Sequence, residues 1–216
     1  MPELPEVETT RRGIEPHVAG RTLTAVTVRE PRLRWPVDAR VAELRDKRIV
    51  GLRRRAKYLL MDLGELHLGI HLGMSGTLRV VAADTPLRKH DHIDLHLDSG
   101  RLLRFNDPRR FGFMDLVEAG ELKTHPLLKD IGPEPLGDYF NAAILTRSLK
   151  GRRTPIKSAL LDQTVVAGLG NIYVAEALFR AGISPKRTTA TIAGRRASKL
   201  YRAIIEVLEL AIAAGV

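Results

Sequence analysis

The sequence predicts an α+β fold, in which an N-terminal helix precedes a β-sandwich or barrel and helices complete the chain. Three observations carry this prediction. They are a helical apolar stripe near the N-terminus, short alternating runs from about residue 23 to residue 117, and helical apolar spacing after a Pro- and Gly-rich segment at 132–137. The 216 residues, 44% of them hydrophobic, suffice for one large domain or two small ones.

The first helix is predicted over residues 5–18. Val7, Ile14 and Val18 form a partial apolar stripe along it, and Gly20 is a stop signal. Strands are predicted where apolar and polar residues alternate over short runs. Three such runs lie at 23–28, 58–63 and 93–97.

The second half of the chain is predicted to be a separate helical domain, because the Pro and Gly residues of 132–137 cannot continue a helix or a strand. We therefore expect an N-terminal domain at 1–131, a linker region at 132–150 and a helical domain at 151–216. The longest helix is predicted over 191–214. Its apolar face consists of Leu200, Ile204, Val207, Leu208 and Ala211.

The charge of the chain favours a polyanionic partner such as nucleic acid. The net charge is +10, and the isoelectric point is about 10.3. Basic side chains concentrate in three segments, at 29–57, 144–157 and 180–202, and the last two contain no acid. The absence of cysteine excludes disulfides and thiolate metal sites. No apolar run approaches the roughly 20 residues that span a bilayer, so we expect a cytoplasmic protein.

Two short segments carry candidate chemistry. Removal of Met1 would leave Pro2 as the terminal residue, and its secondary amine could attack a masked aldehyde such as the anomeric carbon of a sugar. The run 168–173, Gly-Leu-Gly-Asn-Ile-Tyr, ends a loop and opens a helix. Its glycines, its outward-pointing amides and Asn171 suit a phosphate, and Lys157 and Arg187 are basic residues predicted to lie nearby.

Six ordered motifs together resemble the bacterial formamidopyrimidine-DNA glycosylase family over essentially the whole chain. The resemblance implies an N-terminal two-layered β-sandwich and a helix-two-turns-helix domain. The motifs are PELPEVET at 2–9, RRAKYL at 54–59, HLGMSG at 71–76, KHDH at 89–92, DPRRFG at 107–112 and GNIY at 170–173.

The resemblance implies a base-excision repair enzyme that removes oxidised purines, chiefly 8-oxoguanine and formamidopyrimidines, and then cleaves the abasic strand by β,δ-elimination. Pro2 would be the nucleophile that forms a Schiff base. Glu3 would protonate the opening sugar ring or shuttle protons, and Lys57 would neutralise a phosphate near the lesion and assist elimination. The implied partner is double-stranded DNA with oxidised bases or abasic sites, bound by a monomer.

The extruded base must leave a gap that side chains fill. By resemblance, Met74, Arg109 and Phe111 are void-filling residues. The residues expected to bind DNA are His90, Arg109, Lys157 and Asn171. A metal site at His71, His90 and His92 is disfavoured, because no third ligand is evident beside His90 and His92, and a His90 that contacts a phosphate is favoured instead.

The chain departs from the family pattern at its C-terminus. The family ordinarily continues into a zinc finger with four cysteines, whereas this chain contains none and stops at Val216. We therefore expect no metal or organic cofactor in this chain, which is either a truncated product or a finger-less relative.

Two alternative functions stay open. One is an endonuclease VIII-like glycosylase for oxidised pyrimidines. The other is a catalytically impaired or non-catalytic nucleic-acid-binding fragment. The intact Pro2, Glu3 and Lys57 favour an enzyme.

Overall fold

The computed structural model describes all residues from Met1 to Val216 and has the predicted α+β architecture. The chain forms two compact units. The sandwich unit comprises Met1–Pro2 and Val7–His125, and the helical unit comprises Glu3–Glu6 and Pro126–Val216. The first residues of the N-terminal helix therefore count with the helical unit, and the rest of that helix counts with the sandwich unit.

Helix α1 spans Leu4–Val18, close to the predicted range. Pro5 is tolerated there because the first turn of a helix has unpaired backbone amides. Val7, Ile14 and Val18 are buried in the core of the sandwich unit, as the apolar stripe predicts.

Two antiparallel sheets form the sandwich unit, so the predicted sandwich or barrel is a sandwich. The elements are β1 Thr22–Val28, α2 Ala39–Ala42, β2 Lys47–Arg48, β3 Gly51–Arg55, β4 Tyr58–Asp62, β5 Leu66–His71, β6 Thr77–Ala82, β7 Asp91–Leu97, β8 Arg101–Asn106 and β9 Phe113–Glu118, followed by a 3₁₀ turn at Ala119–Glu121. One sheet has the strand order β2-β1-β7-β8-β6 and the other β3-β4-β5-β9. Buried residues of both sheets, such as Leu95 of β7 and Ile70 of β5, belong to one hydrophobic core.

The helical unit contains four helices around a second core. They are α3 Ala142–Leu149, α4 Ile156–Leu161, α5 Asn171–Ala181 and α6 Arg195–Ala214. Helix α6 buries Leu200, Ile204, Val207 and Leu208, as predicted, and Ala211 packs against the same core.

The start of α6 differs from the prediction. Residues Thr189–Thr191 form a 3₁₀ turn, and Gly194, with a φ of 54°, precedes the first residue of the helix, Arg195. A left-handed φ cannot continue an α-helix backwards, so the predicted start at residue 191 is wrong.

The three-part division at 1–131, 132–150 and 151–216 stays a prediction. The segment 132–150 includes α3, whose Leu145 and Leu149 are buried in the core of the helical unit. No helix of the chain is both long and apolar enough to cross a membrane.

Candidate functional site

The site begins at the N-terminus, where Pro2 and Glu3 are consecutive. Pro2 is half-buried in the sandwich unit, and its nitrogen lies in the peptide bond from Met1, so it becomes a free amine only after Met1 is removed. Glu3 belongs to the helical unit and is 1% exposed. A carboxylate buried to this extent requires hydrogen-bond donors.

Backbone amides at the start of α5 supply those donors. The Glu3 Oε2 atom accepts from Gly170 N at 2.7 Å and from Tyr173 N at 3.3 Å, and Oε1 accepts from Ile172 N at 2.9 Å. The first amides of a helix have no partner within the helix and carry partial positive charge. The prediction that these amides point outward to a phosphate is therefore wrong, because Glu3 occupies them.

The two glycines of the run 168–173 serve the same contact. A Cβ atom on Gly170 would lie 2.5 Å from Glu3 Cδ. Gly168 has a φ of +84°, and a Cβ there would lie 2.7 Å from Leu4 Cβ. The Gly168 carbonyl also accepts from Leu4 N at 3.0 Å. These glycines allow the loop before α5 to approach the first turn of α1.

Glu6 and Tyr173 complete this arrangement, and sequence reasoning missed both. Glu6 Oε2 accepts from Glu3 N at 2.8 Å, and Oε1 accepts from the Tyr173 hydroxyl at 2.6 Å. Burial, followed by the hydrogen bond to Glu6, raises the pKa of Tyr173, so the phenol stays protonated and donates. The capping-box spacing of Glu3 and Glu6 was the available sequence signal for the first bond.

Lys57 lies in the sandwich unit, at the tip of the β3–β4 hairpin. Arg55 pairs with Tyr58, which leaves a two-residue turn whose first member, Ala56, has a φ of 52°. Arg54 donates to the Ala56 carbonyl at 2.9 Å. The turn that carries Lys57 is thus held by a side chain of its own hairpin.

His71 lies near Lys57 and is neutral at physiological pH. Burial lowers its pKa to about 4, and the positive charges of Lys57 and Arg34 add to this effect. Its Nδ1 atom accepts from Gly73 N at 3.0 Å, and its ring stacks on Phe113 with centroids 5.2 Å apart. Sequence reasoning considered this histidine only as a metal ligand, and the chain contains no cluster of three residues suited to a metal.

The three predicted void-filling residues lie on two adjacent loops of the sandwich unit. Met74 is 38% exposed and Phe111 is 43% exposed, so both large apolar side chains reach the surface. The Arg109 guanidinium lies 4.8 Å from the centre of the Phe111 ring, within cation–π distance. The structure thus places these three side chains on one exposed surface, which we call the wedge.

The remaining predicted DNA-contact residues are distributed over both units. His90, in the sandwich unit, is half-buried with a φ of 72°. Its neighbour His92 is buried and hydrogen-bonds through Nε2 to the Asp107 carbonyl at 2.8 Å, which gives it a structural role. In the helical unit, Lys157 lies on α4 and is half-buried, and Asn171 is the exposed first residue of α5.

The zinc site that the family resemblance implies does not fit the residues of this chain. It has no cysteine, and no group of three His, Asp or Glu residues could hold a metal ion.

Known proteins resemble this chain in their family domains, their sequence and their fold. The family model of the formamidopyrimidine-DNA glycosylase N-terminal domain matches residues 1–114, and that of the formamidopyrimidine-DNA glycosylase H2TH domain matches residues 131–216. The chain is 58% identical over 215 residues to the formamidopyrimidine-DNA glycosylase of Alcanivorax borkumensis, covering 100% of this chain and 79% of that protein. It is 55% identical over 216 residues to that of Stenotrophomonas maltophilia strain K279a, with the same coverage.

Solved structures of formamidopyrimidine-DNA glycosylases also resemble the chain. The complex of Lactococcus lactis Fpg with DNA containing an abasic site has a TM-score of 0.90 and 36% identity, over 98% of this chain and 78% of that one. The complex of the L. lactis G226P mutant with DNA containing Fapy-dG has a TM-score of 0.91 and 37% identity, over 99% and 79% of the two chains. The resemblance inferred from the sequence motifs is confirmed, and the chain belongs to the formamidopyrimidine-DNA glycosylase family.

Proposed function

We propose that this chain excises oxidised purines from DNA and then cleaves the resulting abasic strand through an amine at Pro2. The observation that carries the proposal is the Glu3 carboxylate, which three backbone amides hold one residue after Pro2. A buried carboxylate fixed in this way is pre-organised for proton transfer. The A. borkumensis relative is named as a formamidopyrimidine-DNA glycosylase. In solved structures, L. lactis Fpg binds DNA with an abasic site, and its G226P mutant binds DNA with Fapy-dG.

The reaction can be written with these residues. The Pro2 nitrogen attacks C1′ of the damaged nucleotide, the N–C1′ bond forms, and the glycosidic bond breaks as the base leaves and takes up a proton from solvent. The proton that the Pro2 nitrogen loses passes to the Glu3 carboxylate, which transfers it to the sugar ring oxygen as the ring opens and leaves an iminium at C1′. Loss of a C2′ proton then expels the 3′ phosphate, and a second elimination expels the 5′ phosphate. Lys57 neutralises a phosphate next to the lesion.

DNA recognition is assigned to side chains of both units. His90, Arg109, Lys157 and Asn171 contact the DNA. Extrusion of the target base costs a few kcal/mol, and Met74, Arg109 and Phe111 offset that cost by filling the gap. A thioether, a guanidinium and an aromatic ring suit a flexible wedge, a reader of the orphaned base and a stacking partner.

Borohydride trapping tests the Pro2 chemistry. The chain, with Met1 removed, is incubated with a duplex that holds one 8-oxoguanine opposite cytosine and with a matching abasic duplex, and mass spectrometry locates the adduct. We expect an adduct on Pro2 with both duplexes. Pro2→Gly should retain DNA binding and lose trapping by about two orders of magnitude or more, whereas unchanged cleavage would exclude Pro2 as the nucleophile.

The same assay separates the alternatives. Trapping with a duplex that holds thymine glycol, but not with the 8-oxoguanine duplex, would indicate an endonuclease VIII-like specificity. Trapping with the abasic duplex alone would mean that capture of the lesion requires chain beyond residue 216. Binding without any trapping would leave a non-catalytic DNA-binding chain.

The salt dependence of DNA binding tests the electrostatic contribution. Neutralisation of roughly six phosphates predicts a slope of about −5 in a plot of log K against log salt. The basic segment 29–57 should contribute less than its charge suggests, because Arg29, Arg32 and Arg40 are ion-paired with carboxylates of the same unit. A slope near zero would contradict DNA binding through phosphates.

A further inference from the structure

Hydrogen bonds to three backbone segments of the sandwich unit, at Ser75, at His90 and His92, and at Gly112, meet at one buried residue, Asp107, which the proposed reaction does not use. Its side chain accepts from the Ser75 hydroxyl at 2.7 Å through Oδ1 and from Gly112 N at 2.8 Å through Oδ2. Its backbone nitrogen donates to the His90 carbonyl at 3.1 Å, and its carbonyl is hydrogen-bonded by His92.

These bonds connect the two loops of the wedge. Ser75 follows Met74 directly, and its hydroxyl oxygen also accepts from Arg109 N at 3.1 Å. Gly112 follows Phe111 directly. The backbone of Arg109 is therefore bonded to this network directly. Met74 and Phe111 are each adjacent to a residue that is bonded to it.

The backbones of the two loops are also in direct contact. A Cβ atom on Gly73 would lie 2.3 Å from Gly112 N, and one on Gly112 would lie 3.0 Å from Asp107 Oδ2. A side chain at either position would push the loops apart or displace the carboxylate. The loops therefore have the close approach that the Ser75–Asp107 bond requires.

The burial of Asp107 is costly unless its bonds are kept. The residue is 0% exposed and makes no salt bridge, although an unpaired buried carboxylate is strongly disfavoured. A hydroxyl and a backbone amide are its side-chain donors. A network of this kind holds its members in one arrangement, because any departure leaves a buried charge without donors.

We propose that Asp107 and Ser75 are positioning residues that join the Met74 turn and the Arg109–Phe111 loop, so that the three side chains enter DNA as one rigid wedge. The proposal rests on the proposed function, because that function assigns the wedge its role. Neither residue is among the proposed DNA contacts. They act through the loops that they connect.

Hydrogen exchange in the DNA-free protein tests the connection directly. Ser75→Ala removes the hydroxyl, Ser75→Thr retains it, and Asp107→Asn keeps the shape of the side chain without its charge. In Ser75→Ala, the amides of Arg109 and Gly112 should exchange about tenfold faster, while strand amides stay unchanged. Ser75→Thr should restore slow exchange. Asp115→Asn, in the same unit with its carboxylate bonded only to the neighbouring Leu116 amide, is the matched control.

Insertion into DNA is the functional readout. A duplex carries a tetrahydrofuran abasic analogue with 2-aminopurine opposite it, and fluorescence is recorded at saturating protein together with the Kd. Ser75→Ala and Asp107→Asn should lose at least half of the fluorescence change while the Kd rises less than about threefold. Ser75→Thr should retain both values. A purely structural role would change thermal stability and Kd together and leave the fluorescence change at saturation intact.

The failure of this proposal and that of the proposed function are distinguishable. Met74→Ala and Phe111→Ala, measured on the same duplex, should also lower the fluorescence change. If they lower it and Ser75→Ala does not, the positioning role is wrong and the wedge stands. If neither lowers it, or if the unaltered chain gives no change, the wedge role assigned under the proposed function is wrong.

Discussion

Glu3 in the helical unit and Asp107 in the sandwich unit are two buried carboxylates to which we assign different roles. Each accepts hydrogen bonds from backbone amides, and each lies against a glycine whose Cβ would meet its side chain. Glu3 receives three amides from the start of one helix, whereas Asp107 receives one amide and a hydroxyl from two loops. The two carboxylates therefore differ in what surrounds them, which is the start of a helix for Glu3 and a pair of loops for Asp107.

Under the proposed function, the same kind of hydrogen-bonded carboxylate serves chemistry in one place and geometry in another. Glu3 directly follows Pro2, the proposed nucleophile, so the amides of α5 would fix the proposed proton-transfer group. Asp107 is surrounded by loops whose exposed side chains face solvent, so fixing its carboxylate orients its neighbours. A group held by a rigid helix end is positioned by that helix, while a group that bonds two loops positions the loops.

The largest effect should come from Glu3→Gln. The substitution keeps the shape and removes the proton-transfer group, and it turns an NH₂ towards amide donors. Trapping with both duplexes should fall by roughly 10²–10⁴-fold, while the fluorescence change from insertion stays within about twofold. Asp107→Asn should retain most of the trapping and lose most of the fluorescence change. If the two variants lose both signals to the same extent, the two carboxylates do not have different roles.

Gly170→Ala should come next. Its Cβ would lie 2.5 Å from Glu3 Cδ and displace the carboxylate, and a misplacement near 1 Å can cost about a hundredfold in rate. Single-turnover trapping measures the loss. Gly13→Ala is the matched control, because no atom lies within 4 Å of the added methyl on the exposed side of α1. It should stabilise the chain by about 0.5–1 kcal/mol and leave trapping unchanged. Equal trapping by Gly170→Ala and Gly13→Ala would show that the placement of the Glu3 carboxylate does not determine activity.

The elements of the fold were predictable because their signals are local. Helix α1, with its stripe of Val7, Ile14 and Val18, and strands such as β7 follow from spacing alone. The amides of α5 were predictable as an anion site for the same reason. Their actual anion, the Glu3 side chain, comes from 167 residues earlier in the chain, and no local pattern encodes that partner.

The network around Asp107 shows the same limit. The family motifs at 71–76 and 107–112 indicated the segments that carry Met74, Arg109 and Phe111. They did not indicate that Ser75 and Asp107, 32 residues apart, bond to each other. Hydrogen bonds between loops depend on tertiary register, which the pattern of apolar residues does not contain.

His71 resembles the two carboxylates in that a side-chain atom, Nδ1, accepts a hydrogen bond from a backbone amide, that of Gly73. Unlike them, it does so as a neutral group. Its folded-state pKa of about 4 lies below the ordinary value of 6.5, so the unfolded chain binds a proton that the folded chain does not bind until near pH 4. The contribution of His71 to stability is therefore lost as pH falls through this window, by up to about 3 kcal/mol.

Urea unfolding at pH 7 and pH 4.5 measures this contribution. In His71→Asn, whose amide oxygen can still accept from Gly73, the fall in unfolding free energy between the two values should be smaller by about 2–3 kcal/mol. Carboxylates that titrate in the same range affect both proteins equally and cancel in the difference. Parallel pH profiles would show that the Gly73 amide is bonded by a histidine that titrates normally.

The smallest effect should come from Tyr173→Phe, which asks how much of the Glu3 arrangement depends on its outer members. The substitution removes the hydroxyl that donates to Glu6 at 2.6 Å and leaves the Tyr173 amide on Glu3. Loss of a hydrogen bond to a carboxylate should lower the unfolding free energy by about 1.5–3 kcal/mol. Trapping should fall less than about threefold, because the amides of α5 still hold Glu3. A loss of trapping as large as that of Gly170→Ala would mean that Glu6 and Tyr173, rather than the helix end, position the reacting carboxylate.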